Sequence, residues 1–140
     1  MIRNIPNKYS CENVLDEINI VCKDKYDLFY LPLDPKNKIN LGYCFINFIH
    51  PLHIINFYNI FKSRNWFHYK SYKECDLTYG KYQGKNELIN NFEKKLAKRN
   101  KRQRPIILEV KKPPKIDLYK KYYAIIKEYQ PGLLNEINWV

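Results

Sequence analysis

The sequence lacks the signals that mark several classes of protein. It contains no run of about 18 apolar residues, which a membrane-spanning helix needs, and its N-terminus lacks the basic-then-apolar segment of a signal peptide. Its four cysteines are scattered, with no C-x-x-C pair and no tight Cys/His cluster, so neither a disulfide framework nor a zinc site is expected. We therefore expect an intracellular protein of the nucleus or the cytoplasm, in a reducing compartment and without a membrane partner.

Motifs of catalysis are also missing. With only 4 glycines, the chain has no Gly-rich phosphate loop, and it has no nucleophile elbow or paired-carboxylate motif. His50 and His53 lie around the start of the second predicted helix and His68 lies in a loop. No third ligand has a spacing suited to a metal ion. The sequence therefore predicts no enzyme, no metal site and no cofactor.

Basic and aromatic residues are abundant. The net charge is +11 and aromatic residues make up 16 % of the chain. The charge is uneven, because residues 1–83 carry 11 basic and 8 acidic residues whereas residues 84–140 carry 14 basic and 6 acidic ones. This asymmetry favours a polyanionic partner for the second half of the chain.

The hydrophobic pattern predicts an α+β domain. Strand, helix, strand, strand, helix and strand are expected in this order over residues 1–6, 10–22, 26–33, 42–48, 50–61 and 74–79. Two helices on one face of a four-stranded antiparallel sheet form a ferredoxin-like β-α-β-β-α-β arrangement, which leaves the other face open. The expected core residues of the second helix are Ile54, Ile55, Tyr58 and Phe61, and those of the fourth strand are Cys75, Leu77 and Tyr79.

Further elements are expected after the fourth strand. A third amphipathic helix begins near residue 84, with Leu88, Ile89, Phe92 and Leu96 as its apolar stripe, and a short strand follows at 105–110. We expect one domain over residues 1–107 and a helical C-terminal extension of unknown role over residues 108–140. A Tyr-rich helix in this extension could dock a protein partner or close the sheet.

The stretch "LGYCFINF" at residues 41–48 carries the functional signal. Strand alternation turns Cys44, Ile46 and Phe48 towards the core, and places Tyr43 and Phe45 on the open face. Six of its eight positions fit the central-strand pattern of RNA recognition motifs, in which such rings stack on bases. The alternative is that a later helix of the chain covers these two rings.

Five stretches together resemble one family. "MIRNIPNKY", "YDLFYLPLD", "KNKINLGYCFINF", "LTYGKYQGK" and "RPI" are similar to the C-terminal RNA recognition motif of Mei-two-like and terminal-ear proteins, known as RNA recognition motif 2, over about residues 1–107. The resemblance implies binding of single-stranded RNA and a post-transcriptional role in meiosis, differentiation or development. The alternative function is a degenerate motif that acts in protein–protein interaction, which off-pattern Met1 and Leu41 favour.

Carried over by position, the resemblance implies an RNA-binding face on the sheet. Its residues are Met1, Arg3, Tyr43, Phe45 and Asn47, to which strand alternation adds Tyr30 and Thr78 and the segment after the fourth strand adds Lys81, Gln83 and Lys85. Candidates for phosphate contact are Lys8, Lys94, Lys95, Lys98, Arg99, Lys101, Arg102 and Arg104. The basic run among them could equally be a nuclear address or a solvated helix face, and Tyr9 could serve only to pack the first helix.

Overall fold

The computed structural model describes residues 1–96 and 103–109 of the chain. In this part, the elements are β1 (Ile2–Arg3), α1 (Cys11–Cys22), β2 (Tyr26–Tyr30), β3 (Tyr43–Phe48), α2 (Leu52–Phe61), β4 (Asp76–Leu77), α3 (Lys85–Leu96) and β5 (Ile106–Ile107). The strands form one antiparallel sheet in the order β4-β1-β3-β2-β5. The ferredoxin-like α+β fold that the sequence predicts is confirmed, with β5 added at the β2 edge.

Helix α1 begins where the sequence predicts. The Ser10 side chain accepts a hydrogen bond from the Asn13 amide, and the Asn13 side chain accepts one from the Ser10 amide. This reciprocal pair satisfies two of the backbone donors that a helix start leaves unpaired. Val14, Ile18 and Cys22 are buried, at the spacing of one face of a helix.

The main core lies between the sheet and the helices α1 and α2. Phe29 and Leu31 are buried there, as strand alternation predicts, together with Ile2 and Cys44. In α2, the expected stripe is confirmed at Phe61, which is buried, and is wrong at Ile54 and Tyr58, which are exposed. Ile55 is half-buried, and Leu52, His53 and Phe57 are the other buried residues of the helix. Because apolar residues surround most of this helix, their spacing does not fix which side faces the core.

Helix α3 packs on the second face of the sheet. Its residues Leu88, Phe92 and Leu96 form a separate apolar cluster with Leu28 and Tyr30 of β2. The expectation of an open face is therefore wrong for its β2 half. The alternative that a later helix covers Tyr43 and Phe45 applies in part to Phe45, which packs against the α3 cluster, whereas Tyr43 is not a member of that cluster. The apolar stripe predicted for this helix supplies the contact.

The C-terminal extension falls almost entirely outside the part of the chain that the structure describes. The expected extension over residues 108–140 lies outside the described residues, except for Leu108 and Glu109. Among the described residues, no helix is long and apolar enough to cross a bilayer.

Candidate nucleic-acid interface

The start of β3 is fixed by one buried side chain, that of Asn40. Its Nδ2 donates hydrogen bonds to the carbonyl oxygens of Pro6 at 2.9 Å and Tyr9 at 2.8 Å, and its Oδ1 accepts one from the Gly42 amide at 2.8 Å. Gly42 has a φ of +85°, which glycine adopts without strain. The motifs "NIPNKY" and "NLGY" are thus joined in space, and Tyr43 is held at the beginning of its strand.

Arg3 and Tyr43 lie side by side on the second face. Arg3 of β1 is the cross-strand partner of Tyr43 in β3 and of Asp76 in β4, and cross-strand partners point to the same face of a sheet. Tyr43 is half-buried and Arg3 is exposed. A planar ring and a guanidinium therefore stand together on the half of the face away from β2.

The Arg3 side chain is only loosely paired. Its guanidinium is 3.9 Å from the Asp76 carboxylate, which makes a closer ion pair with Lys62. The hydrogen bond from Lys62 holds the pKa of Asp76 below its usual range and raises the pKa of Lys62. Because Lys62 is the closer ion-pair partner of the Asp76 carboxylate, the Arg3 guanidinium can turn to an anionic ligand.

Tyr30 and Phe45 belong to the covered half of the face. Their ring centroids are 6.4 Å apart, and the Phe92 ring of α3 lies 4.6 Å from Tyr30 and 5.2 Å from Phe45. Tyr30 is only 5 % exposed, whereas Phe45 keeps part of its surface accessible. Tyr30 lies on the predicted face, but in this structure it packs under α3 and is not displayed to solvent.

A cavity adjoins Phe45 where β1 and β3 meet the segment after β4. Its volume is about 310 Å³, within the range of small-ligand pockets. Five of the RNA-binding candidates line it: Met1, Phe45, Asn47, Thr78 and Gln83. The Asn47 amide donates to Asp27 at 2.7 Å and the Gln83 amide donates to the Gly80 carbonyl oxygen at 2.6 Å, so both side chains are fixed in orientation.

Tyr79 lines the cavity as well, against the sequence-based prediction. Strand alternation predicts this residue in the core, but it is 89 % exposed. The reason is that β4 ends at Leu77, so strand alternation does not continue to residue 79. Tyr79 therefore adds a further ring to the lining of this cavity, which includes Phe45, and only the true end of the strand could have revealed it.

The other predicted cations occupy different positions. Lys81 is exposed with its ammonium 5.7 Å from the Tyr82 ring centroid, whereas the Lys85 ammonium lies 3.5 Å from the carbonyl oxygen of Leu108. Of the phosphate candidates, those that the structure describes are all exposed: Lys8, Lys94, Lys95 and Arg104. The remaining candidates, Lys98, Arg99, Lys101 and Arg102, lie outside the described residues.

Tyr9 is part of the scaffold beside the site. It is buried, and its hydroxyl donates a short hydrogen bond to the Glu17 carboxylate. Burial alone would raise the pKa of Glu17, but hydrogen bonds from Tyr9, His68 and two backbone amides hold that pKa below its usual range. The packing alternative considered for Tyr9 thus matches its place in the structure.

Cysteine chemistry does not contribute to this surface. Burial raises the pKa of the Cys22 and Cys75 thiols to about 12, so both stay protonated at neutral pH. Among the described residues, no group of three or more His, Cys, Asp or Glu side chains could hold a metal ion. The arrangement suits binding by stacking, hydrogen bonds and charge.

Comparison with known proteins agrees with the fold and the motifs. Residues 1–93 match the RNA recognition motif 2 family. Protein MEI2-like 4 of Arabidopsis thaliana is 46% identical over 114 residues, or 81% of this chain, and Protein MEI2-like 2 of Oryza sativa subsp. japonica is 45% identical over the same share. The chain spans only 13% of the length of each of these two relatives. The resemblance carried by the sequence motifs is confirmed, and this chain belongs to the RNA recognition motif 2 family.

Proposed function

We propose that this chain binds single-stranded RNA on the uncovered half of its sheet. Membership of the family and the similarity to Mei-two-like proteins support an RNA-binding module. The observation that carries the finer proposal is the cross-strand pair Arg3–Tyr43 next to a cavity lined by Asn47, Thr78 and Gln83. This surface combines a ring for stacking, a cation for phosphate and polar groups for base edges.

Tyr43 is the principal stacking residue in this proposal. Its ring meets the edge of Phe45 at a centroid distance of 5.7 Å and an interplanar angle of 84°, so Phe45 supports it from the side. A base stacked on an aromatic ring contributes about 1–3 kcal/mol to binding, whatever its identity. Arg3 then lies where it can reach the phosphate of the same nucleotide.

The cavity beside Phe45 is the proposed place for edge recognition. The Asn47 amide is already oriented by its hydrogen bond to Asp27, which leaves its Oδ1 as an acceptor for a base. Thr78 and Gln83 line the same cavity, and so does the exposed Tyr79 ring. Lys81 is exposed in the same segment and can contact phosphate.

Helix α3 limits the surface available to RNA. With Phe92 docked on Tyr30, a base cannot stack on that ring without moving the helix, whereas Phe45 keeps part of its surface accessible beside Phe92. We therefore assign Tyr30 a supporting role and place the contacts at Met1, Arg3, Tyr43 and Asn47. Undocking α3 would add stacking surface at the expense of its buried apolar contacts.

The test is RNA binding by variants of Tyr43. Tyr43→Ala should weaken binding to a random-sequence RNA pool by roughly 5- to 150-fold, the equivalent of about 1–3 kcal/mol. Tyr43→Phe keeps the ring and should bind close to the parent, and Ile20→Ala, an exposed apolar change on α1, is the matched control. Equal affinity of Tyr43→Ala and the parent would remove Tyr43 from the site.

Protein–protein interaction is the second candidate function. The observation that favours it is the burial of Tyr30 beneath α3, which reduces the number of rings that could serve bases. A parent chain that fails to bind the RNA pool at low salt, while folded, would support this alternative over the first.

The biological setting is also a proposal. We propose a domain over residues 1–107, a C-terminal extension over residues 108–140 that docks a protein partner, and an intracellular post-transcriptional role. Similarity to Mei-two-like proteins supports a function in meiosis or differentiation for the longer proteins in which such a module occurs.

A further inference from the structure

The connection between α2 and β4 forms a short antiparallel ribbon. The Ser63 amide donates to the Cys75 carbonyl oxygen at 2.8 Å, and the Cys75 amide donates to the Arg64 carbonyl oxygen at 2.7 Å. Asn65 and Glu74 then pair as an isolated antiparallel bridge. Residues 66–73 make up the tip of this ribbon, which we call the aromatic loop.

The aromatic loop is anchored to α1 at its first residues. Trp66 is buried and meets the Tyr9 ring edge-on at 5.4 Å. The Phe67 amide donates to Glu17 Oε1 at 2.9 Å, and the His68 amide donates to the Tyr9 hydroxyl at 2.8 Å. These buried contacts to a carboxylate and a ring fix the loop in place.

Beyond this anchor, the loop displays aromatic rings to solvent. Phe67 is 67 % exposed and Tyr72 is 106 % exposed, and Tyr69 is also exposed. The Arg64 guanidinium lies 3.8 Å from the Phe67 ring centroid, so a cation supports this ring at close range. Several large exposed rings in one short segment mark an interaction surface.

The charge of the loop is of one sign. Lys70 and Lys73 alternate with the rings, and residues 66–73 include no acidic residue. The Lys73 ammonium lies 2.9 Å from Asn7 Oδ1, next to the exposed Lys8. Rings interleaved with cations fit a ligand that is both flat and anionic, which is the chemistry of a single-stranded nucleic acid.

The loop also adjoins the proposed RNA site on the sheet. Lys62 at the base of the ribbon shares the Asp76 carboxylate with Arg3. Lys73 reaches Asn7, which follows β1 by four residues, a span of about 14 Å at most. An RNA strand that leaves Tyr43 and Arg3 across the β4 edge would therefore arrive at Lys73 and Tyr72.

We propose that the aromatic loop is a second contact site for the same RNA strand, in which Phe67 and Tyr72 stack on bases and Lys70 and Lys73 contact phosphates. This inference rests on the proposed function of the sheet. It predicts that the loop matters only for an RNA long enough to reach both surfaces. RNA is favoured over a protein ligand because Lys70 and Lys73 alternate with the exposed rings and the loop has no acidic residue.

The experiment compares random-sequence RNA pools of 5 and 15 nucleotides in fluorescence anisotropy titrations of the full chain. Tyr72→Ala should weaken binding of the 15-nucleotide pool at least about fivefold and leave the 5-nucleotide pool unchanged, because one stacked base is lost. Phe67→Ala should act in the same way, and Tyr72→Phe should restore binding. Since Tyr72 is fully exposed, its loss should not change the melting temperature.

The outcomes separate the two proposals. Equal binding of the 15-nucleotide pool by Tyr72→Ala, Phe67→Ala and the parent would overturn the second site and leave the sheet site standing. The same conclusion would follow if these substitutions weakened the binding of a protein ligand and did not change the binding of RNA. Failure of the parent to bind either pool would overturn both proposals. Loss of binding to both pools by Tyr43→Ala, with length-dependent loss by Tyr72→Ala, is the result that we expect.

Discussion

Phe92→Ala tests whether α3 covers the sheet as a packed element. The Phe92 ring is 6 % exposed and lies 4.6 Å from Tyr30 and 5.2 Å from Phe45. Truncating a buried phenylalanine costs about 3–5 kcal/mol. The helix lies at the surface and can partly close the gap, so we expect a value near the lower limit, about 3 kcal/mol.

Urea unfolding followed by far-UV circular dichroism measures this loss. The free energy of unfolding should fall by about 3 kcal/mol in Phe92→Ala, whereas Glu93→Ala, an exposed change on the same helix, should stay within about 0.5 kcal/mol of the parent. RNA affinity of Phe92→Ala should stay the same or rise, because the change uncovers Tyr30 and Phe45 and leaves Tyr43 untouched. A free energy of unfolding within about 0.5 kcal/mol of the parent would show that Phe92 does not pack on the sheet. A folded Phe92→Ala that binds RNA as weakly as Tyr43→Ala would make Phe92 an RNA contact and refute its role as a cover.

Three further predictions follow from particular contacts. Asn40→Ala should lower the free energy of unfolding by roughly 2–4 kcal/mol in urea titrations, because buried carbonyl and amide groups of Pro6, Tyr9 and Gly42 lose their partner; a loss below about 0.5 kcal/mol would contradict this. The low pKa of Glu17 means that the folded state releases this proton more readily than the unfolded state, so its stabilising effect is complete above pH ~4.3 and is lost as the pH falls through the folded-state pKa. Unfolding curves of Glu17→Gln should therefore depend less on pH in the acid range than those of the parent, and parallel pH profiles would argue against the proposed network. Changing both Lys94 and Lys95 to Gln should reduce the slope of log affinity against log salt by up to ~1.4 if both contact phosphate, whereas Lys36→Gln should not change it; an unaltered slope would exclude α3 from the phosphate path.

The fold was predictable because local signals and topology agree. The capping residue Ser10 and the run of aromatic and apolar residues in "YCFINF" each specify one element without tertiary information. The apolar stripe Leu88–Phe92–Leu96 likewise identifies α3. What the stripe does not specify is the surface on which the helix docks, and therefore the burial of Tyr30 was not predictable from strand alternation alone.

The candidate site was predictable at β1 and β3 and less so around β4. Arg3 and Tyr43 share a face because a regular ladder extends alternation across strands. Tyr79 departs from the prediction because a two-residue strand ends before its position, and sequence patterns do not fix strand ends. The aromatic loop was missed because its anchor, the contacts of Tyr9 and Glu17 with residues 66–68, joins segments about 50 residues apart in the chain.

RNA binding on the sheet can be observed residue by residue in an NMR titration of the isotope-labelled chain with the 5-nucleotide RNA pool. We expect the backbone amide signals of Arg3, Tyr43 and Asn47 to shift with RNA concentration, while those of Ile20 and the outer residues of α1 stay in place. Shifts confined to the helical face of the domain, or a sheet whose signals do not respond to saturating RNA, would contradict this expectation.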